Sequence, residues 1–373
     1  MSIGKFSEFY VDVTKDATKI PQEQYLAAGR YPIIDQGQKL IAGMWDNPDG
    51  LYEKVPAIVF GDHTRTIKYV DTPFFIGADG VKVLRPVHAG DNVKYLFYVL
   101  QAARIPNLGY SRHFKVVKEL EIRMYPRKKQ DEIVRVLEQI DSLLEQRQNE
   151  ILQMDILVKS RFVEMFGDII LNPFNWEKEQ LGMVCDVRDG THDSPQYYET
   201  GYPLVTSKNV TGGKIDLTDC SLICEVDFKK INERSKVDIG DIIMPMIGTV
   251  GKPVIVDVEP NFAIKNVSLI KFKDHSTVLN IFICALLQSD YFDNAVLSKV
   301  RGGTQKFISL GDIRKLAVIV PPMALQEQFA AFVAEVDKSK FRIQKSLLAS
   351  RKLWTMAQID AIMNMDFSTQ RSL

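Results

Sequence analysis

Two long stretches of the chain carry apolar residues at the spacing of an amphipathic helix. The first stripe runs from Ile133 to Phe166 without a proline or glycine, and Gly167 then supplies a residue type that ends helices. The second stripe runs from about Gln326 towards Met363. At the rise of an α-helix, the first stretch predicts a rod of about 54 Å.

The two stripes belong to one internal repeat. When Pro126 is superposed on Pro322, the flanking residues align without a gap. The aligned pairs are Leu120 with Leu316, Ile122 with Val318, Gln130 with Gln326, Asp131 with Glu327, Ile133 with Phe329, Val136 with Phe332, Leu137 with Val333, Ile140 with Val336 and Asp141 with Asp337. In each copy a short alternating run ends at the proline, which cannot donate to a β ladder, and the helix follows. The pattern predicts a duplicated unit of strand, proline and helix.

The matched length of the two helices predicts how they are buried. A single helix of this length cannot bury its apolar face alone. Two helices of equal length can cover each other as an antiparallel, coiled-coil-like pair. The alternative is that each helix packs only against its own domain, and the duplication favours the mutual pair.

Two globular segments, 1–125 and 171–320, alternate with the stripes. Both contain short β-like runs separated by Gly, Pro, Asn and Asp. The runs include residues 57–60, 81–84, 241–244 and 254–256, and helical patches occupy residues 95–100 and 281–287. The sequence therefore predicts an α+β fold with a pseudo-twofold internal repeat. Its four parts are a domain at 1–125, a spacer helix at 126–170, a domain at 171–320 and a spacer helix at 321–373.

Charge, apolar runs and cysteines restrict the function classes. Lys+Arg and Asp+Glu number 47 each, and a net charge of zero counts mildly against a nucleic-acid binder. Residues 1–12 lack the apolar core of a signal peptide, and the apolar run 281–287 is far shorter than the about 20 residues of a membrane helix. The cysteines Cys185, Cys220, Cys224 and Cys284 form no Cys-x-x-Cys pair. We therefore expect free thiols and a cytoplasmic location, with no membrane partner.

The motifs of common catalytic sites are incomplete or missing. Residues 248–253 lack the spacing and the hydroxyl of a phosphate-binding loop. Residues 172–174, Asn-Pro-Phe, lack the second proline of the Asn/Asp-Pro-Pro-aromatic motif of amino-methyltransferases. The histidines are scattered, and Cys220 with Cys224 supplies only two of the four ligands of a structural zinc site. We predict no catalytic residue and no metal site, so the chain is interpreted as a binding protein.

Several strings resemble the specificity subunits of type I restriction–modification systems. Residues 157–168, followed by Asn172-Pro173 and Trp176, resemble the central conserved region of these subunits. Residues 188–195, Arg-Asp-Gly-Thr-His-Asp-Ser-Pro, resemble the opening of one type of target-recognition domain. The same pattern continues at residues 201–210, 240–243, 247–251, 263–267 and 302–306, and weaker likeness occurs at 31–37 and 109–114. The first domain departs at 61–66, which lacks the Gly-Thr-x-Gly run of the second, so the two domains are expected to read different half-sites.

This resemblance implies a protein that reads DNA without catalysing a reaction. Such subunits bind double-stranded DNA at a bipartite, asymmetric site, with one half-site for each target-recognition domain and with the helices fixing the spacer. They recruit two methyltransferase subunits, and two restriction subunits can join. S-adenosylmethionine, ATP and Mg²⁺ are then expected in the partner subunits, and no cofactor is expected in this chain.

Candidate DNA contacts are polar or basic residues in the loops of both domains. Base edges are read by Arg, Lys, Asn, Gln, Ser and Thr, and phosphates are bound by cations, hydroxyls and backbone N–H groups. The candidates in the first domain are Gln36, Lys39, His63, Arg65, Lys68, Tyr110, Arg112 and His113. The candidates in the second domain are Thr206, Ser207, Lys208, Asn209, Thr249, Lys252, Thr304, Gln305 and Lys306. For each residue the alternative is an ordinary turn or solvated surface position.

Two other functions are consistent with parts of the sequence. A coiled-coil scaffold that binds only proteins would explain the helices and the neutral charge, but not two unlike domains rich in polar loops. An orphan methyltransferase would be a third class, and the incomplete motif at residues 172–174 argues against it.

Overall fold

The computed structural model of the protein describes residues 2–77, 79–109, 111–247, 250–295 and 307–362. The chain divides into two compact units, which we call unit 1 (Met1–Asn149 with Gln344–Leu373) and unit 2 (Glu150–Ile343). Each unit combines one predicted globular segment with parts of both long helices. The four-part division drawn along the sequence stays a prediction.

Unit 1 is a mixed α/β structure. Its strands are β1 (Ser2–Lys5), β2 (Tyr10–Asp12), β3 (Lys19–Ile20), β4 (Tyr31–Ile34), β5 (Gly43–Trp45), β6 (Ala57–Gly61), β7 (Ile67–Val70), β8 (Phe75–Gly77), β9 (Val81–Pro86) and β10 (Glu121–Met124). Its helices are α1 (Phe6–Phe9), α2 (Val93–Ala102), α3 (Phe114–Val117) and the first part of α4 (Arg127–Phe166), with 3₁₀ turns at Thr14–Asp16 and Gln22–Gln24.

The strands of unit 1 form two four-stranded sheets and one ladder. The sheet orders are β2-β9-β6-β7 and β3-β8-β4-β5, and β1 pairs with β10. Alternate residues of β6 face two different cores: Ile58 and Phe60 pack with helix residues, whereas Ala57 and Val59 pack with residues of β4 and β8. Because both faces of β6 are buried, its sequence is a continuous apolar run rather than an alternating one.

Unit 2 repeats this architecture. Its strands are β11 (Glu177–Gln180), β12 (Asp186–Asp189), β13 (Tyr202–Val205), β14 (Val210–Thr211), β15 (Lys214–Ile215), β16 (Ser221–Ile223), β17 (Ile242–Pro245), β18 (Val254–Ile255), β19 (Ala263–Ile264), β20 (Val267–Lys271) and β21 (Ala317–Val320). Its helices are α5 (Leu181–Val184), α6 (Glu225–Ser235), α7 (Asn280–Leu287), α8 (Asp290–Ala295), α9 (Leu310–Arg314) and the first part of α10 (Met323–Ile362), with a 3₁₀ turn at Ser207–Asn209.

Most strands of the two units correspond, although, in the part of the chain that the structure describes, the second sheet of unit 2, β16-β13-β19, has no counterpart of β3, and β14 and β15 form a separate ladder. The order β12-β20-β17-β18 in unit 2 matches β2-β9-β6-β7 in unit 1, and the ladder β11-β21 matches β1-β10. The parallel pair β13 and β19 matches the parallel pair β4 and β8. The predicted strands at 57–60, 81–84, 241–244 and 254–256 and the predicted helical patches are confirmed, and the predicted mixture of helices and strands is therefore correct.

The two long helices begin earlier than their apolar stripes. Helices α4 and α10 contain 40 residues each, which corresponds to about 60 Å. Each starts directly after its repeat proline. The carbonyl of Pro126 accepts hydrogen bonds from the N–H groups of Lys129 and Gln130, and the carbonyl of Pro322 accepts from Leu325 and Gln326. Proline suits this position because it has no N–H of its own to satisfy in the first turn.

The repeat glutamines Gln130 and Gln326 make equivalent buried contacts in their own units. The Oε1 of Gln130 accepts from the N–H of Asn92 at 2.7 Å, and its Nε2 donates to the carbonyl of Tyr125 at 2.8 Å. The Oε1 of Gln326 accepts from the N–H of Leu279 at 2.8 Å, and its Nε2 donates to the carbonyl of Pro321 at 2.8 Å. Each glutamine thereby ties the start of a long helix to the N-cap residue of an earlier short helix, Asn92 of α2 or Leu279 of α7.

Residues of both long helices contribute to the core of each unit. In unit 2, the rings of Phe162 and Phe166 lie 5.6 and 5.5 Å from that of Phe329. In the same unit, Lys340 forms an ion pair with Asp155 at 2.5 Å. In unit 1, Trp354 packs against the cluster that contains Ile133, Val134 and Leu137 of α4.

Candidate nucleic-acid interface

Three polar loops of unit 1 are bonded to one another at the end of the parallel strands. Gln36 follows β4, and its Oε1 accepts a hydrogen bond of 3.2 Å from the N–H of His63 in the β6–β7 turn. The hydroxyl of Thr64 donates to the carbonyl of Gln36 at 2.5 Å. The N–H of Asp62 donates to the carbonyl of Gly80, just before β9, at 2.7 Å. The structure therefore brings the predicted residues Gln36 and His63 together.

His113 holds a fourth segment against this group of loops. Its ring is fully buried, and its Nε2 accepts from the N–H of Leu108 at 3.0 Å. Because Nε2 accepts, the ring hydrogen lies on Nδ1, which is 2.9 Å from the carbonyl oxygen of Asp62. The N–H of Phe114 donates to the carboxylate of Asp62 at 2.7 Å. The predicted DNA contact of His113 stays a prediction, and it would require the ring to leave these bonds.

Lys68 lies on β7 and is also buried. Its ammonium donates to the carbonyl of Asp35 at 2.7 Å and lies 3.4 Å from the carboxylate of the same residue. Burial lowers the pKa of Lys68, and the neighbouring Asp35 carboxylate partly opposes this effect. Lys68 thus connects β7 to the residue that precedes Gln36. A direct DNA contact by Lys68 remains an untested prediction.

The remaining candidates of unit 1 are more accessible. Lys39 and Arg112 are exposed. Arg65 is half-buried, adopts a positive φ of 61°, and donates from Nη1 to the carbonyl of Ile105 at 3.1 Å. Tyr110 lies outside the described residues. The accessible cations therefore flank the loop group that contains Gln36.

In unit 2 the predicted residues 206–209 form one turn after β13. The buried Asn209 accepts at Oδ1 from both the N–H and the hydroxyl of Thr206, each at 3.0 Å. Its Nδ2 donates to the carbonyls of Asp216 and Asp219. Ser207 is half-buried and Lys208 is exposed. Asn209 therefore fixes a turn on which Lys208 is the accessible cation.

The remaining predicted segments of unit 2 are described only in part. Lys252 is exposed. Thr249, Thr304, Gln305 and Lys306 lie outside the described residues. The described residues next to these segments contact each other. Ile247 forms an isolated β-bridge with Phe307, and the N–H of Ile308 donates to the carbonyl of Met246 at 3.0 Å. A similar backbone bond joins His113 to Asp62 in unit 1.

A polar cluster that sequence reasoning missed lies beside β19. Asp189, which is buried, has one carboxylate oxygen 2.9 Å from Nε2 of His192 and the other bonded to Arg234. The Nδ1 of His192 lies 2.9 Å from Oδ1 of Asn266. Asp189 and His192 belong to the string 188–195 and Asn266 to the string 263–267, both of which carried the resemblance, but nothing in the sequence indicates that these three residues meet in space.

The described residues contain no group of three or more His, Cys, Asp or Glu side chains that could hold a metal ion. Within the same part of the chain, the helices are all too short or too polar to cross a membrane. The four cysteines are free, and burial raises the pKa of the Cys185 and Cys284 thiols to about 12.

Comparison with known proteins identifies the family. A sequence model of the type I restriction modification DNA specificity domain matches residues 9–153 and 173–350. The type I restriction enzyme MjaIX specificity subunit of Methanocaldococcus jannaschii is 26% identical over 286 residues, which cover 70% of this chain and 63% of the relative. The MjaVIII specificity subunit of the same organism is 22% identical over 258 residues, covering 62% and 60%. The chain thus spans about three fifths of these relatives.

Solved structures share the fold at low sequence identity. The type I restriction–modification S subunit from M. genitalium is similar with a TM-score of 0.55 and 16% identity, over 98% of this chain and 96% of that one. A structure from work on complex assembly and conformational transition of the type I R-M system is similar with a TM-score of 0.54 and 16% identity, over 96% and 97%. Because the family match covers both globular segments and most of both helices, the chain belongs to the type I restriction–modification DNA-specificity family.

Proposed function

We propose that this chain is a DNA-specificity subunit that reads a bipartite, asymmetric site, with one half-site for each unit, and that it catalyses no reaction itself. The observation that carries the proposal is that the two units share a strand framework but differ in the loops attached to it. The four-stranded sheets β2-β9-β6-β7 and β12-β20-β17-β18 have the same strand order, and both units place polar turns after their parallel strands. The residues of these turns differ between the units, as expected for two different half-sites.

We assign the predicted contact residues to two roles. The accessible residues Gln36, Lys39, His63, Arg65, Arg112, Thr206, Ser207, Lys208 and Lys252 would contact DNA. Tyr110, Thr249, Thr304, Gln305 and Lys306 keep the same proposed role from the sequence alone. The buried Lys68, His113 and Asn209 would position the loops, because their polar groups are occupied by bonds within the protein.

The long helices would form an antiparallel pair that sets the distance between the half-sites. Contacts within unit 2 support this arrangement, because Phe329 near the start of α10 meets Phe166 at the end of α4, whereas Lys340 farther along α10 meets Asp155 farther back on α4. Half-sites on one face of DNA lie about 34 Å apart or a multiple of that distance. Helices of about 60 Å are long enough for such a spacer.

We also propose that two methyltransferase subunits, and two restriction subunits where they occur, dock on the helices. Support comes from apolar side chains that remain exposed there, among them Leu152, Ile156 and Val163 of α4 and Phe341 of α10. S-adenosylmethionine, ATP and Mg²⁺ would be bound by these partners. Partners would also supply many of the cationic contacts to DNA phosphates, because this chain has a net charge of zero and no excess of basic residues.

Selection from a randomised DNA library tests the proposal. The full chain, alone and with the methyltransferase subunits of its own system, should enrich a motif with two fixed parts and a gap of constant length. The chain alone should bind weakly at physiological salt. Enrichment of no motif would contradict DNA reading and would favour a coiled-coil scaffold for proteins. Binding of labelled S-adenosylmethionine by the chain alone would contradict the non-catalytic assignment.

A further inference from the structure

A carboxamide stands at the same structural position in both units, although different elements supply it. In unit 1 this position is Gly80, in the turn between β8 and β9. In unit 2 it is Asn266, in the turn between β19 and β20. Both residues have positive φ, 72° for Gly80 and 57° for Asn266. Gly80 precedes Val81 of β9, and Asn266 precedes the matching Val267 of β20.

In unit 1 the carboxamide at this position belongs to Gln36. A Cβ atom added to Gly80 would come within 2.6 Å of Oε1 of Gln36 and 2.8 Å of the His63 ring. The side chain of Gln36 therefore fills the space that a larger residue at position 80 would need. Its oxygen accepts from the N–H of His63, so the amide nitrogen is the end that remains for a ligand.

In unit 2 the carboxamide is that of Asn266 itself. Its Oδ1 lies 2.9 Å from Nδ1 of His192. Asn266 is half-buried, and its Nδ2 has no hydrogen-bond partner among the residues that the structure describes. Asparagine tolerates the left-handed backbone of this turn better than most residues with a side chain. The arrangement leaves an oriented donor without an internal acceptor.

His192 is itself held on both sides. Its Nε2 lies 2.9 Å from the carboxylate of Asp189, which is buried and also bonded to Arg234. The backbone is clamped as well, because the N–H of Asn266 donates to the carbonyl of Thr191 at 3.2 Å. The Asn266 carboxamide oxygen and the Asp189 carboxylate thus lie on opposite sides of the ring, each 2.9 Å from one ring nitrogen. The ring thereby fixes which end of the Asn266 amide points away from it.

Asn266 lies beside the start of the turn formed by residues 206–209, which are among the predicted DNA contacts of unit 2. Strands β13 and β19 run parallel, with Val205 opposite Ile264, and the N–H of Lys265 donates to the carbonyl of Val205 at 2.9 Å. Thr206 follows the first strand and Asn266 follows the second. Parallel strands that end side by side bring the residues after them to one edge.

We propose that Asn266 reads a base edge in the half-site of unit 2, and that His192, anchored on Asp189, positions its carboxamide for this contact. The Nδ2 of Asn266 donates to an acceptor atom on a base in the major groove, and His192 acts only through Asn266. This proposal rests on the proposed DNA-reading function and adds residues that are absent from the sequence-predicted set.

Library selection with the full chain tests this assignment. Asn266→Ala should reduce discrimination at one position of one half-site by about tenfold, which is the size of one lost base contact. The other half-site and the spacer should be unchanged. Asn261→Ala is the matched control, because Asn261 precedes β19 at the opposite end of the strand and is exposed; its motif should equal that of the wild-type chain.

His192→Ala distinguishes a positioning residue from a phosphate contact. Loss of positioning should relax the same motif position as Asn266→Ala, and the double variant should be no more relaxed than Asn266→Ala alone. A uniform loss of affinity on all sequences would overturn the positioning role. An unchanged motif for Asn266→Ala, with a wild-type motif present and equal thermal stability, would overturn the base contact. If the wild-type chain enriched no motif, the proposed function itself would have failed.

Discussion

The two units share a strand framework but hold their polar loops in different ways. In unit 1, the buried Lys68 binds Asp35 and the buried His113 binds the carbonyl of Asp62. The ladder registers place Val254 at the position of Lys68. The repeat alignment places Ser309 at the position of His113, since the two residues are the N-caps of the matching helices α9 and α3.

This difference separates what fixes the sheets from what fixes the loops. The order of the four-stranded sheets survives the exchange of a lysine for a valine and of a histidine for a serine, because backbone pairing and apolar burial hold the sheets. The loop conformations depend on specific side-chain bonds, and each unit has its own set. The loops can therefore diverge while the framework stays the same.

The largest effect is expected from breaking the aromatic contacts of unit 2. Phe329→Ala should lower the free energy of unfolding by about 3–5 kcal/mol, because it opens a cavity beside Phe162 and Phe166. Its repeat partner in unit 1 is Ile133, and Ile133→Ala should cost about 2–4 kcal/mol. Denaturant unfolding followed by circular dichroism measures both values.

Thiol labelling assigns each loss to its unit. All four cysteines lie in unit 2, and burial raises the pKa of Cys185 and Cys284 to about 12, so these two thiols react only when unit 2 opens. Phe329→Ala should accelerate their labelling, and Ile133→Ala should leave it near the wild-type rate. Equal acceleration of thiol labelling by both variants would show that each substitution opens unit 2, and would contradict the assignment of each loss to one unit.

The repeat glutamines should show equal effects where the units are alike. Gln130→Leu and Gln326→Leu each leave a buried backbone N–H and a buried carbonyl without their partner. We expect a loss of about 2 kcal/mol for each variant, since an unsatisfied buried polar group costs about 1–3 kcal/mol. Denaturant midpoints provide the measurement. A loss of stability in only one of the two variants would show that the two glutamines are not equivalent.

A smaller effect is expected from replacing the buried polar ring of His113 by an apolar side chain. His113→Ile preserves the backbone bond to Asp62 but leaves the N–H of Leu108 without its acceptor. We expect a loss of about 1–2 kcal/mol. Library selection should show a relaxed first half-site and an unchanged second one. Ile308→Val in unit 2 is the control, and a change at both half-sites in His113→Ile would argue against a local role.

The helices and the repeat could be predicted because their signal is local and long. The spacing of apolar residues over many turns and the alignment around Pro126 and Pro322 identified two equivalent helices. The apolar stripe does not reach the first turn of either helix, because that turn is held by the proline carbonyl and by Gln130 or Gln326 rather than by apolar residues.

The loop contacts could be predicted only in part. Lys68 lies within the short strand β7, where a lysine is normally solvated, and only the fold brings Asp35 within reach of its ammonium. Gln36 and His63 were selected as polar loop residues, but the sequence gives no sign that they touch. Asn266 was missed because the parallel pairing of β13 and β19, together with the contact of Thr191, is what brings it beside the turn that begins at Thr206.

The smallest effect is expected at the exposed lysines that follow the matching strands β4 and β13. Lys39 and Lys208 are both exposed, and under the proposed function each binds a phosphate. Lys39→Ala and Lys208→Ala should weaken binding on all sequences and reduce the slope of log K against log salt by about 1. Affinities of the full chain for its selected site, measured over a series of salt concentrations, give the slope. Because a phosphate contact carries no sequence information, neither variant should alter the selected motif. A changed motif in Lys208→Ala alone would mean that Lys208 reads a base, whereas Lys39 in unit 1 contacts only phosphate. The two units would then differ in their DNA contacts as well as in the bonds that hold their loops.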